Sequence, residues 1–441
     1  MVKIFKIALL LFLSLTILNC SSDYDYSPDV NTKDLTFTTL QTNLEGRTVV
    51  GTAEVVEFQL KNDANDEELS EAATFYINEE EIDSNEYTFT EEGSYEIYAT
   101  INQIESNKLT LKVVDGNYVS VSTQKAVRGQ TVTFQSFDVN GNETTQESTF
   151  MVNNNPISGN EFSNEESGIY SVKATYQGNT STPTDFEIFT PKRKVALEDY
   201  TGTWCGWCPR VLLLIEEVED VTENIVPIAI HNEDKMVFST EQEVNWREAF
   251  EIGISLPKLR ANRTDNISVI QDSQIPSAVD YITSMAGSET NNTIAIDTKL
   301  SRDKLKVNVK LLSEEGLNSS HKLAIYLYQD GLIYDQHNYY NTVEGSRWFG
   351  EGDPIENFTH NHVLEASLTE NLLGDNIESI SAYQTWNRTL PTVDLSSYAD
   401  TANGNTFDPK RFGVAVFLVD ENNTAINAQS VKAGENVDFD E

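Results

Sequence analysis

Two cysteines separated by two residues constrain this chain more than any other feature. The motif Trp204-Cys205-Gly206-Trp207-Cys208-Pro209 contains two of the three cysteines among 441 residues. Residues 195–203 before it have the pattern of a buried strand that ends in a tight turn, and residues 209–221 after it have the pattern of an amphipathic helix with proline in its first turn. A C-x-x-C between a strand and the start of a helix is typical of a redox site. The start of the helix favours a thiolate at Cys205, which predicts Cys205 as the attacking sulfur and Cys208 as the resolving one.

The N-terminal segment predicts a lipid anchor. Lys3 and Lys6 precede an apolar run, 7–18, that is short for a membrane span. The run leads into Leu18-Asn19-Cys20, which resembles the lipobox of bacterial lipoproteins. The resemblance implies a signal peptide over 1–19, a lipid on Cys20 and an acidic tether over 20–34. We therefore expect a lipid-anchored protein of the outer membrane, on its periplasmic face or on the cell surface.

A lipid on Cys20 would leave a single cysteine pair. An oxidising compartment favours a disulfide between Cys205 and Cys208, and the two intervening residues place the sulfurs within bonding range. No cofactor and no metal are predicted for this pair, because two cysteines alone cannot complete a tetrahedral metal site.

The charge of the chain limits its partners. The formal net charge is −40, from 70 acidic and 30 basic residues. Such a charge repels nucleic acid at long range, so no nucleic-acid partner is expected. The partners that remain are protein thiols or disulfides, or an extracellular ligand.

The first half of the chain predicts two all-β units, over 35–115 and 116–190. Short alternating strands are separated by turn residues, and matching residues recur 75 positions apart, as with Tyr95 and Tyr170. The two units resemble bacterial immunoglobulin-like sandwiches, and neither contains a cysteine.

The second half predicts a change of class. Residues 191–290 alternate strands and helices, with helices over 210–218, 240–251 and 275–285, which predicts an α/β domain. Residues 291–441 return to strands, including one over 376–384, and predict a β-rich C-terminal domain with a long loop at 338–360.

Two family resemblances follow from these motifs. WCGWCP after a strand resembles the thioredoxin superfamily, which implies a proton-transfer role for Asp199 and a cis-proline at Pro257 beside the disulfide. Leu256 would then offer its backbone to a substrate peptide, with Trp204, Gly206 and Trp207 beside it. More narrowly, the chain resembles the Omp-twenty-eight-related outer membrane lipoproteins in the segments EDYTGTWCGWCPR and LPKLRANR. This resemblance covers about 190–435 and implies a thioredoxin-like domain joined to a β-rich region.

Three functional hypotheses remain open from the sequence. The first is a thiol-disulfide oxidoreductase, whose redox direction Gly206-Trp207 leaves undefined. The second is a non-catalytic surface binding or adhesion lipoprotein with a structural disulfide. The third is a metal site, with His231 beside the cysteines, or with His360 and His362 joined by His337.

Overall fold

The structure is a computed structural model that describes residues 35–439 except 254 and 270. The predicted signal peptide, Cys20 and the acidic tether lie outside the described residues. Of the helices in the described part of the chain, none is long and apolar enough to cross a membrane.

Residues 38–114 form a two-sheet β-sandwich. One sheet has the strand order β1-β3-β6 and the other β2-β9-β7-β4-β5, with β8 beside β7. Apolar residues at alternate positions of both sheets meet in one core. The strands are β1 (Thr38–Thr42), β2 (Val49–Gly51), β3 (Val55–Asn62), β4 (Thr74–Ile77), β5 (Glu80–Ile82), β6 (Glu86–Thr88), β7 (Gly93–Ile101), β8 (Ile104–Glu105) and β9 (Leu109–Val114).

Residues 118–189 form a second sandwich of the same design. Its sheets have the orders β10-β12-β15 and β11-β18-β16-β13-β14, with β17 beside β16, and they share a separate core. The strands are β10 (Tyr118–Val121), β11 (Lys125–Val127), β12 (Val132–Phe137), β13 (Thr149–Val152), β14 (Asn155–Pro156), β15 (Glu161–Phe162), β16 (Gly168–Tyr176), β17 (Asn179–Thr180) and β18 (Thr184–Phe189).

Residues 195–285 supply four strands and three short helices. In chain order these are β19 (Val195–Thr201), α1 (Pro209–Glu219), β20 (Ile225–His231), α2 (Thr240–Ala249), β21 (Lys258–Ala261), β22 (Asp265–Ile267) and α3 (Ile275–Met285). The three helices predicted from the sequence are confirmed within a few residues at their ends.

The remaining residues add strands and short turns. The strands are β23 (Asn292–Ser301), β24 (Lys304–Ser313), β25 (Lys322–Gln329), β26 (Leu332–Gln336), β27 (Ile355–His360), β28 (Val363–Ser367), β29 (Asp375–Asn376), β30 (Trp386–Thr389), β31 (Val393–Asp394), β32 (Phe412–Val419), β33 (Ala425–Lys432) and β34 (Asn436–Val437). Single 3₁₀ turns lie at Ser70–Ala72, Thr145–Glu147, Asp272–Gln274, Leu395–Tyr398, Ala402–Gly404 and Pro409–Arg411. The strand predicted over 376–384 is wrong, because β29 ends at Asn376.

A nine-stranded sheet organises the second half of the chain. Its order is β22-β21-β19-β20-β28-β25-β32-β33, with β29 also paired to β25. One face packs against α1 and α3 and, further along, against the sheet β30-β24-β23-β34. The other face packs against α2, where the fully buried Trp246 lies 5.1 Å from the ring of Tyr326.

The predicted succession of immunoglobulin-like sandwiches, an α/β thioredoxin-like domain and a β-rich domain is wrong as a fold class. The chain is nearly all β, with 44% of residues in strands and 12% in helices, and no α/β thioredoxin-like domain is evident in its described part. The strands of 195–267 share one sheet with β25, β28, β32 and β33, joined where Ala229 of β20 pairs with Val363 of β28. Local periodicity predicted the elements, but it carries no information about which distant strands pair.

Candidate redox site at the Cys205–Cys208 disulfide

Strand β19 brings the motif to the end of the nine-stranded sheet. It pairs in parallel with β20 and antiparallel with β21, and all seven of its residues are buried. Both faces of the sheet are covered at this strand, and it begins with the apolar run Val195–Leu197, as is typical of strands buried on both sides. Glu198 and Asp199 are two adjacent acids that project to opposite faces because side chains alternate along a strand.

Cys205 and Cys208 form a disulfide with an S–S distance of 2.08 Å. Cys208 is the N-cap of α1, whose first residue is Pro209. The backbone N–H of Cys208 donates to the carbonyl oxygen of Cys205 (3.0 Å), which closes the turn. Cys205 is 4% exposed and Cys208 is 0% exposed, so Cys205 is the more accessible of the two.

The turn before the disulfide is fixed by hydrogen bonds from two directions. The backbone N–H of Thr203 donates to the Asp234 carboxylate (2.9 Å), and the indole N–H of Trp204 donates to the carbonyl oxygen of Asn232 (2.8 Å). The same Asp234 oxygen lies 2.7 Å from Nδ1 of His231. His231 therefore acts structurally here, as part of the support for the turn.

A loop between β26 and β27 closes over one side of the motif. This capping loop, residues 337–354, bonds to the motif through the backbone N–H groups of His337, which donates to Thr203 O (2.8 Å), and Tyr339, which donates to Gly206 O (2.9 Å). Just before it, the Gln336 side chain donates to the carbonyl oxygen of Cys205 (3.0 Å). Residues 337 and 339 thus both hydrogen-bond to the backbone at the motif.

The capping loop explains why glycine stands between the cysteines. A Cβ at position 206 would lie 2.4 Å from the ring of Tyr339, which is closer than any real contact. The Tyr340 hydroxyl donates to the carbonyl oxygen of Trp207 (3.1 Å), and the Tyr340 ring lies 5.1 Å from that of Trp207. Sequence reasoning missed Gln336, Tyr339 and Tyr340, for which the long loop with two adjacent tyrosines was the available signal.

Large aromatic side chains surround the disulfide and remain partly exposed. Trp204 is 40% exposed, Trp207 44% and Tyr339 48%. The rings of Trp207 and Tyr339 lie 5.3 Å apart, edge to face. An exposed apolar surface of this kind is more typical of an interaction site than of a turn with a purely structural role.

A groove borders the motif at Trp207. Its volume is about 410 Å³, and it is bordered by Trp207, by Leu256 and Pro257, and by the edge strand β22. The Leu256–Pro257 peptide bond is cis. The described residues that line it are Trp207, Arg210, Val211, Ser255, Leu256, Pro257, Lys258, Leu259, Asn266, Ile267, Ser268 and Val269. Three of the residues predicted to bind substrate or face the disulfide are therefore brought together here.

Asp199 lies on the α1 face of the sheet, outside this groove. It borders a separate cavity of about 40 Å³ with Ile215, Glu216 and His362 among its neighbours. Neither carboxylate oxygen has a hydrogen-bond partner among the described residues. Burial raises the pKa of Asp199 to about 8. The cavity is large enough for a water molecule, and the carboxyl group can hold a proton at neutral pH.

The histidines of the metal hypothesis lie in separate environments. Burial, followed by the neighbouring His231 ring at 5.5 Å, lowers the pKa of His360 to about 3. His337 is exposed and lies 3.1 Å from Asp353, whereas His362 lies 3.1 Å from Glu219. Within residues 35–439, leaving out 254 and 270, no three His, Cys, Asp or Glu side chains converge as a metal site would require.

Comparison with known families places the second half of the chain beside outer membrane proteins. The family model described as "Outer membrane protein Omp28" matches residues 249–437. The match includes Leu256, Pro257 and the capping loop, but it begins after the two cysteines. The name describes the members of that family as outer membrane proteins.

Solved structures show only distant similarity to this chain. HBP35 of Porphyromonas gingivalis is 18% identical, with a TM-score of 0.41 over 55% of this chain and 76% of that chain. The fibronectin(III)-like modules of CbhA from Clostridium thermocellum are 14% identical, with a TM-score of 0.16 over 34% and 93%. Domains 5-6 of the S-layer protein SbsC are 17% identical, with a TM-score of 0.16 over 34% and 96%. These similarities are too weak to assign an activity, and no curated protein matches the chain significantly.

Proposed function

We propose that this chain is an Omp28-related protein of the outer membrane that exchanges thiols and disulfides with other proteins through Cys205 and Cys208. The observation that carries the proposal is the position of the disulfide. It lies at the start of α1 beside the exposed Trp204 and Trp207, and Trp207 also borders the open groove, whereas a disulfide that only staples a core has no need of either feature.

The chemistry can be written with two substrate thiols. A substrate thiolate attacks Sγ of Cys205, the Cys205–Cys208 bond breaks, and Cys208 leaves with the electron pair as a thiolate. A second substrate thiolate then attacks the substrate sulfur of the mixed disulfide and releases Cys205. The substrate gains one disulfide and the protein gains two electrons; the reverse sequence reduces a substrate. Gly206-Trp207 leaves the direction open.

Accessibility and protonation support the role given to each residue. Cys205 is assigned as the attacked and attacking sulfur because Cys208 is fully buried. Asp199 is assigned as a proton store for the leaving thiolate, because it is fully buried in β19, six residues before Cys205, and burial raises the pKa of its carboxyl group to about 8. Trp204, Gly206, Trp207, Leu256 and Pro257 are assigned to the surface that receives the substrate.

Trapping in cells tests this proposal. With Cys208→Ser, Cys205 has no resolving partner, so mixed disulfides with substrates should accumulate and disappear when the sample is reduced. Cys205→Ser is the matched control and should trap far fewer partners. Equal trapping by the two variants, or no trapping by Cys208→Ser, contradicts the proposal.

A structural disulfide in a surface binding protein is the second candidate. The observation in its favour is the low exposure of both cysteines under the capping loop. In that case reduction lowers the melting temperature, and the wild-type protein exchanges no disulfide with cysteine-containing peptides. Measurable exchange that Cys205→Ser abolishes contradicts this candidate.

We also propose that Cys20 carries the lipid that holds the protein at the outer membrane. The proposal is supported by Leu18-Asn19-Cys20 after a short apolar run. The protein labelled in cells with an alkyne fatty acid should carry the label, and Cys20→Ala should lose it. Label retained by Cys20→Ala would contradict lipidation at this cysteine.

A further inference from the structure

The groove beside Trp207 differs in charge from the rest of the molecule. The chain has 70 acidic and 30 basic residues, yet the charged residues that line the groove are Arg210 and Lys258, and both are cationic. The other lining residues are apolar or small and polar. A positive, apolar groove in a strongly acidic protein is a local exception that needs its own explanation.

The two cations are not equivalent. The Arg210 Nε donates to Asp272 (2.9 Å), and the guanidinium group stacks 4.5 Å above the ring of Tyr340. Arg210 is therefore held within the protein, and its charge is largely balanced. Lys258 lies at the start of β21, directly after Pro257, and makes no ion pair within the described part of the chain. Lys258 is thus the unbalanced charge of the groove.

The capping loop limits where a partner can reach the motif. The capping loop follows the motif backbone at Thr203 and Gly206, so a partner cannot use that side without displacing the loop. The groove is open and is bordered by Trp207 and Leu256, and none of its described lining residues belongs to the capping loop. A segment in the groove would place apolar side chains on Leu256 and Trp207 and one acidic side chain beside Lys258.

We propose that the groove selects an extended peptide segment that carries an apolar side chain and a single carboxylate close to its cysteine, and that Lys258 is the residue that recognises the carboxylate. This inference rests on the proposed function, because it names the substrate class of the same site. The net charge of −40 repels a strongly acidic partner at long range, so the partner is a protein of neutral or positive net charge with one local acid.

Binding of cysteine-free peptides tests the inference apart from the redox chemistry. Two decapeptides share leucines on either side of a serine that replaces the cysteine, and they differ by glutamate or glutamine two positions away. Calorimetry with the wild-type protein should show tighter binding of the glutamate peptide by about fivefold in dilute buffer. The preference should fall towards unity in 0.5 M salt, because the pair is exposed to solvent.

Substitution of Lys258 tests whether this residue causes the preference for the glutamate peptide. Lys258→Gln should remove it, and Lys258→Glu should reverse it. Lys410→Glu, at an exposed lysine outside the groove, changes the net charge equally and should keep it. Thermal unfolding confirms that each variant is folded, and the glutamine peptide should bind all of them similarly.

Either of two results overturns the inference. One is equal binding of the two peptides by the wild-type protein, and the other is an unchanged preference in both Lys258 variants. Neither result depends on thiol exchange, so a failed trapping experiment and a failed peptide preference are distinguishable.

Discussion

The two sandwiches and the disulfide region differ in how far their buried polar groups are hydrogen-bonded. In the sandwiches the hydrogen bonds repeat from copy to copy. Ser106 accepts from the backbone of β7 at 3.0 Å, and Ser181 accepts from the backbone of β16 at 3.1 Å. The hydroxyl groups of Tyr95 and Tyr170 each donate to a carbonyl oxygen four residues earlier. Within the described part of the sandwiches, the unpartnered buried side-chain atom is the hydroxyl oxygen of Thr38.

The disulfide region instead retains features that cost stability. Asp199 is a buried carboxyl group with no hydrogen-bond partner in the described part of the chain, and Trp204, Trp207 and Tyr339 expose apolar surface. Buried unpaired acids and exposed aromatic residues are unfavourable for folding, and they concentrate at sites that bind or react. The sandwiches thus satisfy nearly all their described buried polar side chains, whereas the end of β19 keeps an unsatisfied acid beside the surface that the proposed function assigns to an interaction.

The largest expected effect tests the unpartnered acid. The pKa of Asp199 is about 8 in the folded protein against an ordinary value of 3.8, so the folded state holds a proton that the unfolded state releases. The stability that the protonated carboxyl group contributes is therefore lost as pH rises from about 4 to 8. Between pH 5 and pH 8 the free energy of unfolding should fall by about 4 kcal/mol more in the wild type than in Asp199→Asn. Urea unfolding of both proteins across this range measures the difference.

The control for this prediction is the exposed Glu216, which borders the same cavity. Glu216→Gln should change the unfolding free energy far less than Asp199→Asn does, because the Glu216 side chain is exposed and, among the described residues, pairs only with the exposed Arg347 (3.4 Å). If Asp199→Asn also follows the wild-type curve, the carboxyl group is not the buried acid that the geometry indicates.

The second prediction concerns the neighbouring acid on the opposite face. Arg263 Nε donates to Glu198 (3.2 Å), Arg263 also bonds to Leu373 O and the Tyr326 hydroxyl, and both charged side chains are fully buried. Arg263→Met leaves Glu198 buried without its partner, which should cost about 3 kcal/mol in urea unfolding.

Two variants sharpen this result. Adding Glu198→Gln to Arg263→Met should recover part of the loss, because the uncompensated charge is removed. In the first sandwich, Arg47 pairs with Glu54 at 2.7 Å but is 14% exposed, so Arg47→Met should cost about 1 kcal/mol. A larger loss at Arg47 than at Arg263 would reverse the comparison between the two regions.

The sequence predicted the local features of this site well and its surroundings poorly. The strand, the turn, the disulfide and α1 each follow from short patterns around Cys205, and the position of Pro257 follows from a motif. The capping loop could not be predicted, because its contact with Gly206 joins residues 133 positions apart, as Tyr339 and Gly206 are numbered. Long-range pairing also joined β19 and β20 to the C-terminal strands, which overturned the predicted α/β domain.

The third prediction tests the capping loop. Tyr339→Ala removes the ring that lies over Gly206 and contacts Trp207, so dithiothreitol should reduce the disulfide about tenfold faster. Phe349→Ala is the matched control, because Phe349 is 48% exposed in the same loop and makes no ring contact with the motif among the described residues. The rate is followed by alkylation of the free thiols. Equal rates in the wild type and Tyr339→Ala would show that the loop does not protect the disulfide.

The smallest effect tests whether the two sandwiches are energetically equivalent. Ser106→Ala and Ser181→Ala each leave a buried backbone N–H of the partner strand without its acceptor, which should cost about 1 kcal/mol in either copy. Ser94→Ala, at an exposed position of β7, should change the unfolding free energy by less than about 0.5 kcal/mol. The two buried serines differ by 75 positions but occupy the same place in the repeat, so equal losses show that the repeat conserves an interaction as well as a sequence pattern. If only one of the two variants loses stability, the serine hydrogen bond stabilises only one sandwich. The contrast with the disulfide region in hydrogen-bonded buried polar groups would then hold for that sandwich alone.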